Sequence, residues 1–174
     1  ARAGLLDRFG PEAGQLAVVC IWASTFVITK AAFAAISPLA FVFVRFALMT
    51  LLAFSVMLAR RHGAERTIRR ADLPRFALVG LCGYTLYQLA FVLGLNSTSP
   101  FSSSLLVSLV PLISVVILSV RGERTPARGW IGIGIAVAGV AIFLFEKRGD
   151  GAGSLLGDAL SLGAAASFAL YGIA

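Results

Sequence analysis

The chain has 174 residues, a formal charge of +7, 59% hydrophobic residues and only 13% charged ones. A mean hydropathy of +0.92 excludes an ordinary soluble domain, in which about a quarter of the residues carry charge. The basic excess does not describe a nucleic-acid module either, because the arginines fall in short runs between apolar blocks instead of along one face of a fold.

Six apolar blocks follow one another at 14–36, 38–59, 73–95, 101–120, 130–145 and 155–174. Each reaches the roughly 20 residues that carry a helix across ~30 Å of hydrocarbon, the fifth once 126–129 joins its first turn. Pro38, Pro74, Pro100 and Pro126 stand near four of the helix starts, where a missing N–H costs little. The expected fold class is therefore all-α, an integral membrane protein of six transmembrane helices, with short connections that make sequence neighbours antiparallel neighbours. Cys20 and Cys82 lie inside apolar blocks without metal-ligand spacing and read as buried packing thiols. The first residues lack the pattern of a cleaved signal peptide, and no initiator Met is present.

Orientation follows from the placement of Lys and Arg. Arg60, Arg61, Arg66, Arg69, Arg70 and Arg75 precede or open the third block, and Arg121, Arg124 and Arg128 join the fourth to the fifth; Arg2 and Arg8 lie at the start. The opposite loops, "ISP" and "NSTSP", carry none, and the fifth connection holds Lys147 and Arg148. A cytoplasmic N-terminus in a cell (inner) membrane is expected, with His62 a solvated loop residue. The sixth block ends at "SFALYGIA" with no flanking charge, so the chain is expected to be a fragment of a longer protein.

Two cations fall inside apolar blocks. Taking the first helix to end at Ile36, Lys30 lies about 9 Å below that end, and Arg45 lies about 10 Å into the second helix. Each costs roughly 3 kcal/mol at the centre of a bilayer unless it is paired or faces water. Lys30 has three outlets: snorkelling to the interface, facing a solute, or pairing with a segment outside this chain. The forked head of Arg45 suits a carboxylate or helix carbonyls. Asp158 is the acidic residue at comparable depth; it serves either the N-terminal dipole of the sixth helix or one cation, which leaves positive charge for an anionic solute.

Trp22, Thr25, Phe26 and Thr29 share one face of the first helix, and Tyr84, Tyr87, Gln88 and Phe91 make a similar stripe on the third. Gln88 favours a cavity over lipid, where a primary amide would be unsatisfied. Ser104, Ser108 and Pro111 share a face of the fourth helix, and Pro111 frees the carbonyl of Val107, which makes a hinge or a passive kink. Gly132 with Ala136, and Gly134 with Ala138, have the small-residue spacing of close helix packing. No nucleophile–base set, metal cluster or nucleotide loop is legible, so no enzyme, metal or cofactor is expected.

"WASTFVITK", with its Trp-x-x-x-Phe-x-x-x-Lys spacing, "SPLAFVFVRF", "LVGLCGYTLYQLAFVLGLNSTSP" and the run from Ser102 to Phe143 together resemble the EamA-type branch of the drug/metabolite transporter superfamily. Ala23 stands where that pattern more often has Gly. The resemblance implies two inverted five-helix repeats: 1–13 as a cytoplasmic segment, 14–148 as the first repeat, and 149–174 as a linker and the first helix of a truncated second repeat. It implies secondary transport, as export, of small organic metabolites such as amino acids or related anionic or zwitterionic solutes by alternating access. Trp22, Phe26, Lys30, Arg45, Pro111 and Glu123 are the positions carried over from the family pattern. The expected solute-binding set is Trp22, Thr25, Lys30, Arg45, Tyr84, Tyr87, Gln88 and Ser108, with Pro111 and Glu123 structural. Expected partners are the solute, the lipid bilayer, and the second repeat or a second copy of the chain. The alternative expectation is a helical packing subunit of another membrane protein.

Overall fold

The computed structural model describes residues 5–59, 69–149 and 154–173, with side chains outside the description at 5–11, 82, 148 and 149. Arg2, Arg60, Arg61, His62 and Arg66 lie outside the described residues. The described chain is helical: α1 (Leu5–Ala32), α2 (Pro38–Ala59), α3 (Leu73–Val79), α4 (Tyr87–Ser97), α5 (Pro100–Val107), α6 (Val110–Val120), α7 (Ala127–Gly149) and α8 (Leu155–Ile173). A 3-10 turn, Arg70–Asp72, precedes α3, and a π-helical segment, Gly80–Leu86, joins α3 to α4. Six stretches, Glu12–Ala32, Pro38–Ala59, Arg70–Ser97, Pro100–Val120, Ala127–Lys147 and Leu155–Ile173, are long and apolar enough to cross a membrane. The all-α architecture with six spanning helices is thus the observed one.

The first span ends earlier than its apolar run. The amides of Phe33, Ala34 and Ala35 bond carbonyls three residues back, at 3.3, 3.2 and 3.0 Å, which tightens the chain into a turn. Ser37 then caps α2, its Oγ accepting from the Ala40 amide at 3.3 Å. Lys30 therefore stands in the last turn of α1, shallower than a helix running to Ile36 would place it.

The third and fourth spans are both interrupted. The π segment brings Gly83 and Tyr84 to the middle of the third, and such wide turns concentrate at functional positions. The fourth breaks at Ser108 and Leu109, one turn ahead of Pro111, which has no N–H to return to Val107. Its far end is closed by a Schellman motif: Glu123 N–H bonds Leu118 O at 3.0 Å and Gly122 N–H bonds Ser119 O at 3.1 Å. Gly122 has φ +97°, a conformation that costs other L-residues about 1–2 kcal/mol. Gly122→Ala is accordingly expected to lower unfolding stability by that amount in a detergent thermal melt. The backbone of Glu123 thus closes the α6 cap, while its side chain makes no bond to a described residue.

Packing centres on α8, which lies against α4, α5 and α6, while α2 lies against α4 and α1 against α5. Sequence neighbours are therefore not uniformly the closest spatial neighbours. Close approach of α4 and α8 depends on glycine: a Cβ on Gly94 would stand 2.7 Å from Ser161 Oγ, and one on Gly157 would stand 2.8 Å from the Ser97 carbonyl carbon. Val92, Leu95, Ala164 and Ala165 are fully excluded from solvent at this contact. Ser161 donates to Ser103 across α8 and α5 at 3.1 Å. The small residues of α7 do not share this role, because a Cβ on Gly132 or Gly134 would meet nothing within 4 Å. Instead α7 reaches the bundle through Phe143, whose ring meets Phe101 at 5.2 Å, and through Lys147. Cys20 is exposed on α1 and does not pack inside the bundle as expected, since the described side chains of residues 12–24 are all exposed.

Candidate functional site

Two polar sites occupy different levels of the bundle. The first is at the C-terminal end of α4. A helix leaves its last four carbonyls without internal partners, and here each finds one. Thr98 N–H closes on Gly94 O at 3.0 Å, Lys30 Nζ donates to Leu95 O at 2.9 Å and Asn96 O at 2.7 Å, and Ser154 N–H donates to Ser97 O at 3.2 Å. Lys30 is thus a cation on the negative end of a helix dipole. Lys30→Met is expected to cost about 1.5–3 kcal/mol of stability, the range for hydrogen bonds to charged groups, read in a thermal melt.

Beside this cap lies a compact ionic cluster. Lys147 Nζ, from the end of α7, donates to Asp158 Oδ1 and Oδ2 at 2.8 and 2.9 Å and to Thr98 Oγ1 at 2.6 Å. Thr98 in turn donates to Asp158 Oδ1 at 2.7 Å. The two charged side chains are only 8% and 10% exposed. Sequence reasoning placed Lys147 in a loop and weighed Asp158 against Lys30 and Arg45. The structure gives Asp158 to Lys147, a pairing separated by eleven residues across the α7–α8 connection.

The second site is a cavity of about 420 Å³ deeper in the bundle. Its polar lining comes from Thr25 on α1, Arg45 on α2, Tyr84 on the π segment, and Tyr87 and Gln88 on α4, with Tyr171 from α8. Seven aromatic rings form a continuous series around it. Phe46 meets Tyr84 at 6.4 Å, Tyr84 meets Tyr171 at 5.8 Å, and Tyr171 meets Phe168 at 5.8 Å. Phe168 continues to Tyr87 at 4.9 Å, Tyr87 to Phe91 at 6.0 Å, and Phe91 to Phe26 at 5.2 Å. Gly83 makes room for this ring series, since any Cβ there would collide with Tyr171.

Within the cavity, Gln88 is 5% exposed and its Nε2 has no hydrogen-bond partner among the described residues. Such a group normally costs about 1–3 kcal/mol, so an unpaired one asks for an explanation. Gln88 also borders a smaller cavity of about 160 Å³ against α2, which shares Phe46 and Tyr84 with the larger one. The Arg45 guanidinium makes no ion pair or hydrogen bond to a described residue, and it lies close enough to Tyr87 to interact electrostatically. Trp22 and Tyr84, 60% and 53% exposed, mark the open side.

The cavity therefore gathers six of the expected residues, Trp22, Thr25, Arg45, Tyr84, Tyr87 and Gln88. Lys30 and Ser108 are not in its lining; Ser108 turns its hydroxyl back onto Leu105 O at 2.6 Å. Sequence reasoning missed Phe168 and Tyr171, which lie on the sixth span at i and i+3 with Ala164 and Ala165 buried one turn earlier. It also missed Ser102 and Ser103, fully buried beside the expected but unburied Ser104 and Ser108.

The model of the EamA-like transporter family matches residues 13–145, from the start of the first span to the last turns of the fifth. The chain belongs to the EamA-like transporter family. It is also similar to an uncharacterized transporter of Archaeoglobus fulgidus, 29% identical over 126 residues that cover 71% of this chain and 44% of that protein. The chain thus spans less than half the length of the curated relative it matches. No solved structure matches it. The EamA match covers both interrupted spans and every cavity residue from α1 to α5, while Phe168 and Tyr171 lie beyond it.

Proposed function

We propose that this EamA-family chain supplies the first five-helix repeat and the opening helix of the second repeat of a secondary transporter for small organic solutes bearing an anionic group. The carrying observation is the cavity that holds an unpaired Arg45 and an unsatisfied Gln88 amide within an aromatic wall. An orphan donor and an unpaired cation are costly in a dry bundle unless a ligand or water completes them. Arg45 takes the anionic group in this reading, Gln88 a second acceptor, and Trp22, Tyr84 and Tyr87 the solute body. Lys30 acts through the α4 cap and not by solute contact. The interrupted third and fourth spans supply the hinges for alternating access, with helix breaks lining a cavity as is usual in such proteins. Export is the direction that the family resemblance implies, and the basic loops favour a cytoplasmic N-terminus in a cell membrane.

The test is counterflow of a panel of radiolabelled small carboxylates in proteoliposomes carrying the full-length protein. Arg45→Gln is expected to lower the responding flux by at least about tenfold, the worth of one charge-assisted contact, with little change in melting temperature. Unchanged flux would overturn the assignment of the cavity as the solute site.

A further inference from the structure

The chemistry of the cavity lining narrows the solute class, an argument that rests on the cavity reading above. Among the described residues, the lining contains a guanidinium and a primary amide whose donor nitrogen is unpartnered, and it contains no Asp or Glu. The buried carboxylate nearest in character, Asp158, is saturated by Lys147 and Thr98 in the other polar site. Of the other acids whose side chains are described, Glu12, Glu123 and Glu146 are exposed and Asp72 is half-buried, and none lines the cavity. A carboxylate entering this space meets a counter-charge, whereas an ammonium entering it finds Arg45 as a like charge and no anion among the described residues.

The second donor sharpens the match. Arg45 suits a carboxylate through its fork, and Gln88 Nε2 requires an acceptor of its own. The seven-ring wall favours a planar aromatic body, which it can contact edge-on or stacked. We infer that the cavity selects aromatic monocarboxylates with a second oxygen acceptor next to the carboxylate, the 2-oxo acids, and discriminates against the corresponding 2-amino acids. The amino acid places an ammonium where the described lining offers Arg45 as a like charge and no carboxylate, and it leaves the Gln88 donor without its acceptor. Rejection of an analogue that leaves buried polar groups unpaired is far stronger than rejection by size alone.

The experiment compares three probes of one carbon skeleton on the full-length protein in nanodiscs: phenylpyruvate, 3-phenylpropionate and L-phenylalanine. Binding is read from the quenching of tryptophan fluorescence and from equilibrium displacement of radiolabelled phenylpyruvate. Phenylpyruvate is expected to bind at least about tenfold more tightly than L-phenylalanine, with 3-phenylpropionate between them. Arg45→Gln should weaken both acids about equally. Gln88→Met, of similar volume, should remove the advantage of phenylpyruvate over 3-phenylpropionate while leaving the melting temperature unchanged or raised, because it deletes an orphan amide. Arg45-dependent binding in which L-phenylalanine equals or exceeds phenylpyruvate overturns the inference and leaves the cavity reading intact. Absence of Arg45-dependent binding by all three overturns both.

Discussion

Asp158→Ala is expected to destabilise the bundle by about 3–5 kcal/mol, because it leaves the Lys147 ammonium buried without a counter-charge. The loss extends beyond one contact. Asp158 also accepts from Thr98, the residue whose amide closes the end of α4, so three elements are released at once. The double substitution Lys147→Met with Asp158→Leu should recover most of the loss, since matched apolar side chains remove both desolvation penalties. Thermal unfolding of the parent, Lys147→Met, Asp158→Leu and the double variant in one lipid–detergent mixture makes a double-mutant cycle. Equal and additive losses from the two single substitutions would show that the pair does not act as a unit.

Gly157→Val is the second large effect. Its Cβ would stand 2.8–2.9 Å from atoms of Ser97 and Thr98, which include backbone that cannot swing aside. The added side chain must separate α4 from α8, stretching the Ser154–Ser97 hydrogen bond and drawing Asp158 from Thr98. Overpacking of this kind costs about 3 kcal/mol. Gly132→Val, on the face of α7 with open space around it, should by contrast change the melting temperature little. Parallel melts of the two variants check the claim, which a larger loss at Gly132 would contradict.

The six spans were legible because a membrane helix is set by a local property, about 20 consecutive apolar residues, and needs no knowledge of its partners. A bend at Pro111 was legible for the same reason, being a backbone rule of one residue. Packing was not. Gly94 and Gly157 are 63 positions apart, and nothing in the local pattern of either announces the other. The Gly and Ala of α7 have the spacing of a contact and no contact among the described helices, since small residues permit close approach without specifying it.

The intramembrane charges divide in the same way. That Lys30, Arg45 and Asp158 needed partners followed from the cost of isolated charge in hydrocarbon. Which partners Lys30 and Asp158 took depended on where α1 ended, on the carbonyls left open by α4, and on Lys147 folding back from α7. Each is a property of the assembled bundle. The cavity was more accessible to sequence reasoning because Gln88 and the aromatic stripe share one helical face, and only the α8 rings required the tertiary contact to be found.

The central claim is that Gln88 faces a solute-accessible cavity, and site-directed thiol labelling tests it most directly. Gln88→Cys, in the full-length protein with Cys20 and Cys82 replaced by Ala, is exposed to a small water-soluble methanethiosulfonate with and without phenylpyruvate. The account predicts that the thiol reacts and that phenylpyruvate slows the reaction at least about tenfold, by occupying the space between Gln88 and Arg45. A thiol that stays inert, or that reacts at the same rate whether or not the acid is present, would contradict it.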